Sequence, residues 1–220
     1  MFLEVKNVTK SIHGDVVIKN ASLCSERGRV IGLRGINGSG KTMLMRLISG
    51  LIRPTKGQVL IDGEVVSKDI PFPRSLGVLI EGPAFLDDYS AMDNLKLIAY
   101  PKGKVAEDEI KAVLSEVRLD PKSRKKYKKF SLGMKQRLGI AAAVMEHPDL
   151  ILLDEPTNAL DESGVDMLGD IVKKEKERGA VLIVSSHDRD ILEDISDEIY
   201  DLEQGEIVRH SIKGEKRSEG

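Results

Sequence analysis

Cys24 is the only cysteine among the 220 residues. No disulfide can form within the chain, which fits a reducing compartment such as the cytoplasm. No apolar run approaches the roughly 18–20 residues that a membrane-spanning helix needs. The opening "MFLEVKNVTK" carries charge early and lacks a signal peptide's apolar core. The net charge of −2 gives no overall pull toward nucleic acid. The basic run "RKKYKK", residues 124–129, is too short and too poor in aromatics to argue for nucleic acid. It reads as a solvated approach to a helix, with a patch beside anionic lipid as the rival reading. Internal repeats and long heptads are missing, and the tail "KGEKRSEG" is polar, expected to fray and given no function. What remains is 40% hydrophobic and 32% charged, ordinary globular material long enough to bury a core.

Apolar, β-branched runs alternate with helical patterns. Residues 29–34 (RVIGLR), 58–62 (QVLID), 76–80 (LGVLI), 150–154 (LILLD) and 180–186 (AVLIVSS) read as strands. Several lack polar alternation, as expected for strands covered on both faces. Residues 2–8 and 198–208 alternate more and are expected to be antiparallel edge strands. Helical faces recur in residues 41–49, 109–117 and 162–178. The fold class is therefore α/β with a mainly parallel sheet and an antiparallel β part. Residues 82–148 break the rhythm and read as a helical insertion. The expected organisation is one domain over 1–220, with 1–81 and 149–220 as its core. Leu76, Val78, Leu79 and Ile80 read as a short buried strand ending at Glu81, Gly82 and Pro83, which leaves a carboxylate at its exit.

"GINGSGKT", residues 35–42, fits G-x-x-x-x-G-K-[ST], between an apolar strand and a helical pattern. Glycines let backbone N–H groups close around phosphate oxygens, and a helix start adds positive potential. Gly35, Asn37, Gly38, Ser39, Gly40, Lys41 and Thr42 are thus the expected nucleotide-binding residues. Lys41 reaches the β- and γ-phosphates and Thr42 ligates Mg²⁺. "LILLDEPTNALD", residues 150–161, delivers Asp154 as a second magnesium residue, acting through water. Glu155 follows as the base that polarises a water for attack on the γ-phosphate.

With "FSLGMKQRLGIAAA" between these motifs and "SSHD" after them, the chain resembles the nucleotide-binding subunit of ABC transporters. The resemblance runs from "LEVKNVTK" to "LEQGEIV". It implies a P-loop NTPase core and the cofactors ATP and Mg²⁺. Two such domains would pair head to tail around two ATP molecules. Ser131 and Gly133 would bind the γ-phosphate held by the partner, the helical insertion carrying this signature segment. His187 matches the switch histidine, and Asp161 the loop coupling the two ATP sites. The implied partners are a second ATP-binding subunit, with a homodimer expected, and a separate integral-membrane permease, and no nucleic acid. The location would be cytoplasmic, peripheral on the inner face of the membrane.

Three departures from the family pattern stand out. Phe130-Ser131-Leu132-Gly133-Met134 replaces Leu-Ser-Gly-Gly-Gln. Ile12, with His13 beside it, stands where many relatives stack an aromatic ring on adenine. Ile12 offers no π face, so either residue is the base-contacting candidate. Glu81 stands where most relatives carry a glutamine facing Mg²⁺ or the attacking water, which makes it a metal-facing and coupling residue. Together "LIEGPAF" and "SLGMKQRL" resemble a subgroup of bacterial exporters serving lantibiotic and bacitracin-type peptide resistance. The segment "GPAFLDDYSAMDNL", with Phe85, Leu86, Tyr89, Met92 and Leu95, is the expected permease-facing surface. The rival class is a soluble ABC-type ATPase of DNA repair or translation. One phosphate loop, no long heptads and one cysteine favour the transporter subunit.

Overall fold

Three strands whose sequences show no polar alternation nevertheless sort their residues by period two. In the computed structural model these are β3 (Val30–Arg34), β7 (Leu150–Leu153) and β8 (Val181–Ser186). Val30, Ile151, Leu153, Leu182 and Val184 enter one hydrophobic core. Ile31, Leu33, Leu150, Leu152, Val181 and Ile183 enter another. Successive side chains leave a strand on opposite faces, so a strand roofed on both sides is apolar at every position. The structure describes residues 1–100, 103 and 105–214. Most of the polar tail therefore lies outside the described residues.

The remaining elements follow from these three strands. They are β1 (Leu3–Ile12), β2 (Asp15–Ser25), α1 (Lys41–Ile48), β4 (Lys56–Ile61), β5 (Glu64–Val65) and β6 (Leu76–Leu79). After them come α2 (Ala91–Ala99), α3 (Glu107–Glu116), a 3₁₀ turn (Tyr127–Lys129) and α4 (Leu132–Val144). The chain closes with α5 (Glu162–Glu177), α6 (Arg189–Ile195), β9 (Glu198–Glu203) and β10 (Glu206–Ile212). One sheet has the order β10-β9-β3-β8-β7-β6, and the other β2-β1-β4-β5. The first is parallel except for β10, and the second is antiparallel throughout. The fold class read from the sequence holds. Leu44, Met45, Leu47 and Ile48 of α1 share a core with Leu3 and Val5 of β1 and with Leu152 of β7. That core joins α1 to both sheets.

Several expectations are corrected. β1 is not an edge, because it pairs with β2 and β4. Of residues 198–208, β10 is the antiparallel edge strand expected, but β9 lies between β3 and β10, parallel to the first. Residues 58–62 belong to the antiparallel sheet rather than the parallel one. The β2 strand was missed, although Ile18, Ala21 and Leu23 turn inward along it. In β6, Gly77 and Leu79 are buried while Val78 is 41% exposed. β6 is the sheet's last strand, and α4 covers one of its faces. A Cβ at residue 77 would come within 1.8 Å of the Ala143 carbonyl oxygen, so glycine is required there.

Between β6 and β7 the described elements are all helical. Ser90 caps α2 and Ser131 caps α4, each accepting a backbone N–H three residues on. Phe85, Tyr127 and Phe130 pack ring to ring at 5.4 and 5.7 Å. The Tyr127 hydroxyl donates to the Pro83 carbonyl at 2.5 Å. Of the residues expected to face a permease, Met92 and Leu95 are core instead, whereas Leu86 and Tyr89 are exposed. The basic run contributes the buried Tyr127 to this core, and Lys128 pairs with Asp88.

Candidate functional site

Strand register determines which side chains meet at the carboxyl edge of the parallel sheet. Leu79, Leu153 and Val184 lie level across β6, β7 and β8, and Leu33 lies level with Ser185. The residues leaving these strands are therefore Glu81, Asp154 with Glu155, Ser185 with Ser186, and the loop from Gly35. They emerge side by side, where open α/β sheets bind ligands.

The loop after β3 turns at Gly38 and Gly40, with φ of 83° and 112°. A side chain at Gly40 would also press on Ile18 at 2.9 Å. Gly40 is the N-cap of α1 and has no side chain to cap it. The first-turn N–H groups of α1 thus lack the side-chain acceptor that Ser90, Ser131, Asp161 and Asp188 supply to their own helices. An uncapped helix start is a ready anion site. Lys41 is buried, its Nζ donating to the Gly35 carbonyl at 2.5 Å and the Ile36 carbonyl at 3.3 Å. A cleft of about 810 Å³ opens over this loop, and Thr42, Arg46, Glu81, Asp154 and Glu155 help to line it.

The two acids of β7's exit are held differently. Asp154 accepts from Thr42 Oγ1 at 2.7 Å and from Ser185 Oγ at 2.6 Å. Glu155 has φ 46°, so the chain turns sharply after the strand. Its N–H donates to Ser185 Oγ at 2.8 Å. One carboxylate oxygen faces Lys41 Nζ at 3.2 Å, and the other lies 2.9 Å from His187 Nδ1. Gln136 of α4 donates to the carbonyls of Glu155 and Pro156 at 3.3 and 3.1 Å. That contact ties the helical insertion to the acidic turn.

Oxygen donors from Thr42 and Asp154 suit a hard divalent cation. Mg²⁺ is usually held by one or two carboxylates together with substrate phosphates. Among the described residues, no group of three or more His, Cys, Asp or Glu could hold a metal on its own.

Ser131, Gly133 and Asp161 lie elsewhere, around a second hollow of about 540 Å³ shared with Arg137 and Ala159. Arg137 donates to Asp161 at 2.9 Å. Asp161 caps α5 through the Gly164 N–H. The Ser163 hydroxyl, and after it Gly164 N–H and Arg137, holds its carboxyl below the usual range. Ile12 and His13 end β1 and begin the tight turn to β2, and neither lines the large cleft. Val16, Val17 and Lys19 of β2 do, together with Gln204. Sequence reading missed Arg46, Ser185, Gln136 and Arg137. Ser185 stands inside the quoted "SSHD" and was within reach. Gln136 and Arg137 likewise stand inside the quoted "FSLGMKQRLGIAAA", whereas Arg46 acts through a tertiary contact that no local pattern announces.

A glycine-rich loop from strand to uncapped helix, with an Asp-Glu pair on a nearby parallel strand, defines a P-loop nucleoside triphosphatase. A family model described as ABC transporter matches residues 18–158, more than half of the chain. An uncharacterized ABC transporter ATP-binding protein of Bacillus subtilis, YybJ, is 46% identical over 93% of this chain and 94% of its own length. The lantibiotic transport ATP-binding protein SrtF of Streptococcus pyogenes is 36% identical, covering 94% and 89%. The bacitracin transport ATP-binding protein BcrA of Enterococcus faecalis is also 36% identical, over 94% of this chain and 68% of its own. A solved dimer of the ATP-binding cassette MJ0796, bound to ADP and Pi after hydrolysis, superposes with a TM-score of 0.87. It shares 25% identity and covers 97% of this chain and all of that one. The chain belongs to the ABC transporter family, as an ATP-binding subunit and an ATPase.

Proposed function

We propose that this subunit drives a separate integral-membrane permease that exports an antimicrobial peptide or a similar amphiphile. Two copies pair head to tail around two Mg-ATP molecules. The pair works in the cytoplasm, peripheral on the inner face of the membrane. Residues 35–42 of one copy hold the triphosphate. Ser131 and Gly133 of the other approach its γ-phosphate, with Asp161 linking the two sites. The observation carrying this reading is that the hollow over the phosphate loop and the hollow around Ser131 are separate in the single chain. Each is half of a site that head-to-tail pairing would complete. The Ser131 hydroxyl accepts from Met134 N–H at 3.2 Å, which leaves its own hydrogen to donate to an anion.

Within the site, Lys41 neutralises phosphate charge and Thr42 and Asp154 hold Mg²⁺. The metal, when bound, offsets the charge that develops on the phosphate oxygens. Glu155 accepts a proton from the attacking water, and His187 orients that carboxylate through the 2.9 Å contact. Glu81 leaves β6 beside this site and opens the segment that contains exposed Leu86 and Tyr89. It therefore serves as the coupling residue of a permease-facing surface that continues through exposed Leu97, Ile98 and Tyr100. The names of SrtF and BcrA support a peptide cargo.

The test is co-expression with the neighbouring permease in a peptide-sensitive host. Resistance is expected with the intact chain and not with Lys41→Ala. In membranes, Glu81→Ala is expected to lower permease-stimulated ATPase activity more than Mg-ATP binding. Full stimulation with Glu81→Ala, or no resistance to any peptide, would overturn the coupling or the cargo respectively.

A further inference from the structure

Glu81, Asp154 and Glu155 put three carboxylates around one cleft that receives a polyphosphate. Asp154 is offset by two hydroxyl donors, and Glu155 by Lys41. For Glu81 the matching group is Arg46, whose guanidinium Nη2 donates to Glu81 Oε1. Arg46 lies four residues after Thr42 on α1, so both side chains share one helix face. Glu81 has φ 68°, a left-handed backbone uncommon outside glycine, and turns the chain out of the sheet at this point. Both residues line the cleft. They join the helix carrying the phosphate loop to the segment that leaves β6.

We infer that Arg46 is the positioning residue of this site: its guanidinium holds the Glu81 carboxylate at the cleft wall and cancels its charge. The inference rests on the magnesium-nucleotide reading of Thr42 and Asp154. With the pair closed, Glu81 neither repels a free triphosphate nor competes for the cation. Without Arg46, a bare carboxylate faces the phosphates. Metal-free nucleotide then binds less well. Mg-nucleotide binding suffers little, since a cation can attract the freed carboxylate. Without Glu81, an unpaired guanidinium attracts the metal-free triphosphate. The two single losses thus push the magnesium dependence of binding in opposite directions, and losing both restores it.

The experiment measures equilibrium binding of a fluorescent, non-hydrolysed ATP analogue by the full chain, with Mg²⁺ and with EDTA. The readout is the ratio of the two dissociation constants, EDTA over Mg²⁺. Arg46→Gln is expected to raise that ratio by about fivefold, the size of a direct charge-pair coupling. Glu81→Gln lowers it, and the double variant returns to the parent value. Arg46→Lys keeps the charge without the planar fork and falls between parent and Arg46→Gln. It also shows whether any loss merely reflects misfolding. Binding that Arg46→Gln leaves unchanged, or weakens equally with Mg²⁺ and with EDTA, would overturn the pairing role. A parent protein whose binding ignores Mg²⁺ would instead sink the metal reading, and this inference with it.

Discussion

Thr42 Oγ1 donates to Asp154 Oδ2 at 2.7 Å, joining the start of α1 to the end of β7 across 112 positions of sequence. The contact links the phosphate loop to the acidic strand. Asp154 is buried and carries a second donor, Ser185, so its orientation is fixed from both sides. In the proposed function, oxygens held in this way need not be collected when metal and nucleotide bind.

Replacing Asp154 with Asn separates charge from hydrogen bonding. Asn keeps the side-chain shape but loses the anion. Nucleotide binding in EDTA is expected to persist, while the gain on adding Mg²⁺ disappears. Hydrolysis is expected to drop by about a hundredfold or more. A normal magnesium response in titrations of Asp154→Asn would reject this residue as the metal's carboxylate.

Glu155 sits between Lys41 and His187, where it can accept a proton. Glu155→Gln keeps the shape and removes the basicity. Steady-state hydrolysis is expected to decrease by roughly 10²–10⁴-fold, the usual range for a lost general base. ATP binding survives, and a dimer accumulates on size-exclusion chromatography with ATP. Turnover at the parent rate would exclude Glu155 as the base.

Gly77 tests the seat of the helical insertion. A Cβ there meets the Ala143 carbonyl oxygen and the Pro148 ring, at 1.8 and 2.8 Å. Gly77→Ala must push α4 off β6, an overpacking cost of at least about 2 kcal/mol. The urea midpoint is expected to fall accordingly. Because Gln136 of α4 holds the acidic turn, hydrolysis should decline further than nucleotide binding. A midpoint unchanged by the substitution would contradict the close packing.

The cap of α2 gives a pH signature. The Ser90 hydroxyl, with its N–H behind it, holds the Asp93 carboxyl below the usual range. A depressed folded pKa contributes stability that is complete above the unfolded value of about 3.9 and is lost as pH falls through the folded one. Asp93→Asn is therefore expected to destabilise near neutral pH and to converge with the parent in acid. Ser90→Ala is expected to cost about 1 kcal/mol as a lost N-cap. A gap between Asp93→Asn and parent that stays constant from neutral pH to pH of about 3 would refute the linkage.

Short-range chemistry was legible without coordinates. The phosphate loop, the Asp-Glu strand and the doubly roofed β3, β7 and β8 announce themselves because neighbours along the chain impose their constraints. A turn at Gly38 and Gly40 needs glycine there, and a strand roofed on both faces needs apolar residues throughout. Sheet membership was not legible. Residues 58–62 read like the parallel strands, yet they pair with β1, since a strand's own pattern reports burial and not its partner. Val78 read as buried for the same reason, and it is exposed because α4 covers only the opposite face of β6. Arg46 meeting Glu81, Gln136 meeting the acidic turn, and Val16 and Val17 lining the cleft in place of Ile12 and His13 depend on long-range packing. The sequence by itself thus determined the glycine-rich loop and the acidic strand end that meet at the carboxyl edge of the sheet. Only the tertiary structure decided which charges offset one another, because that depends on distances between elements far apart in the chain.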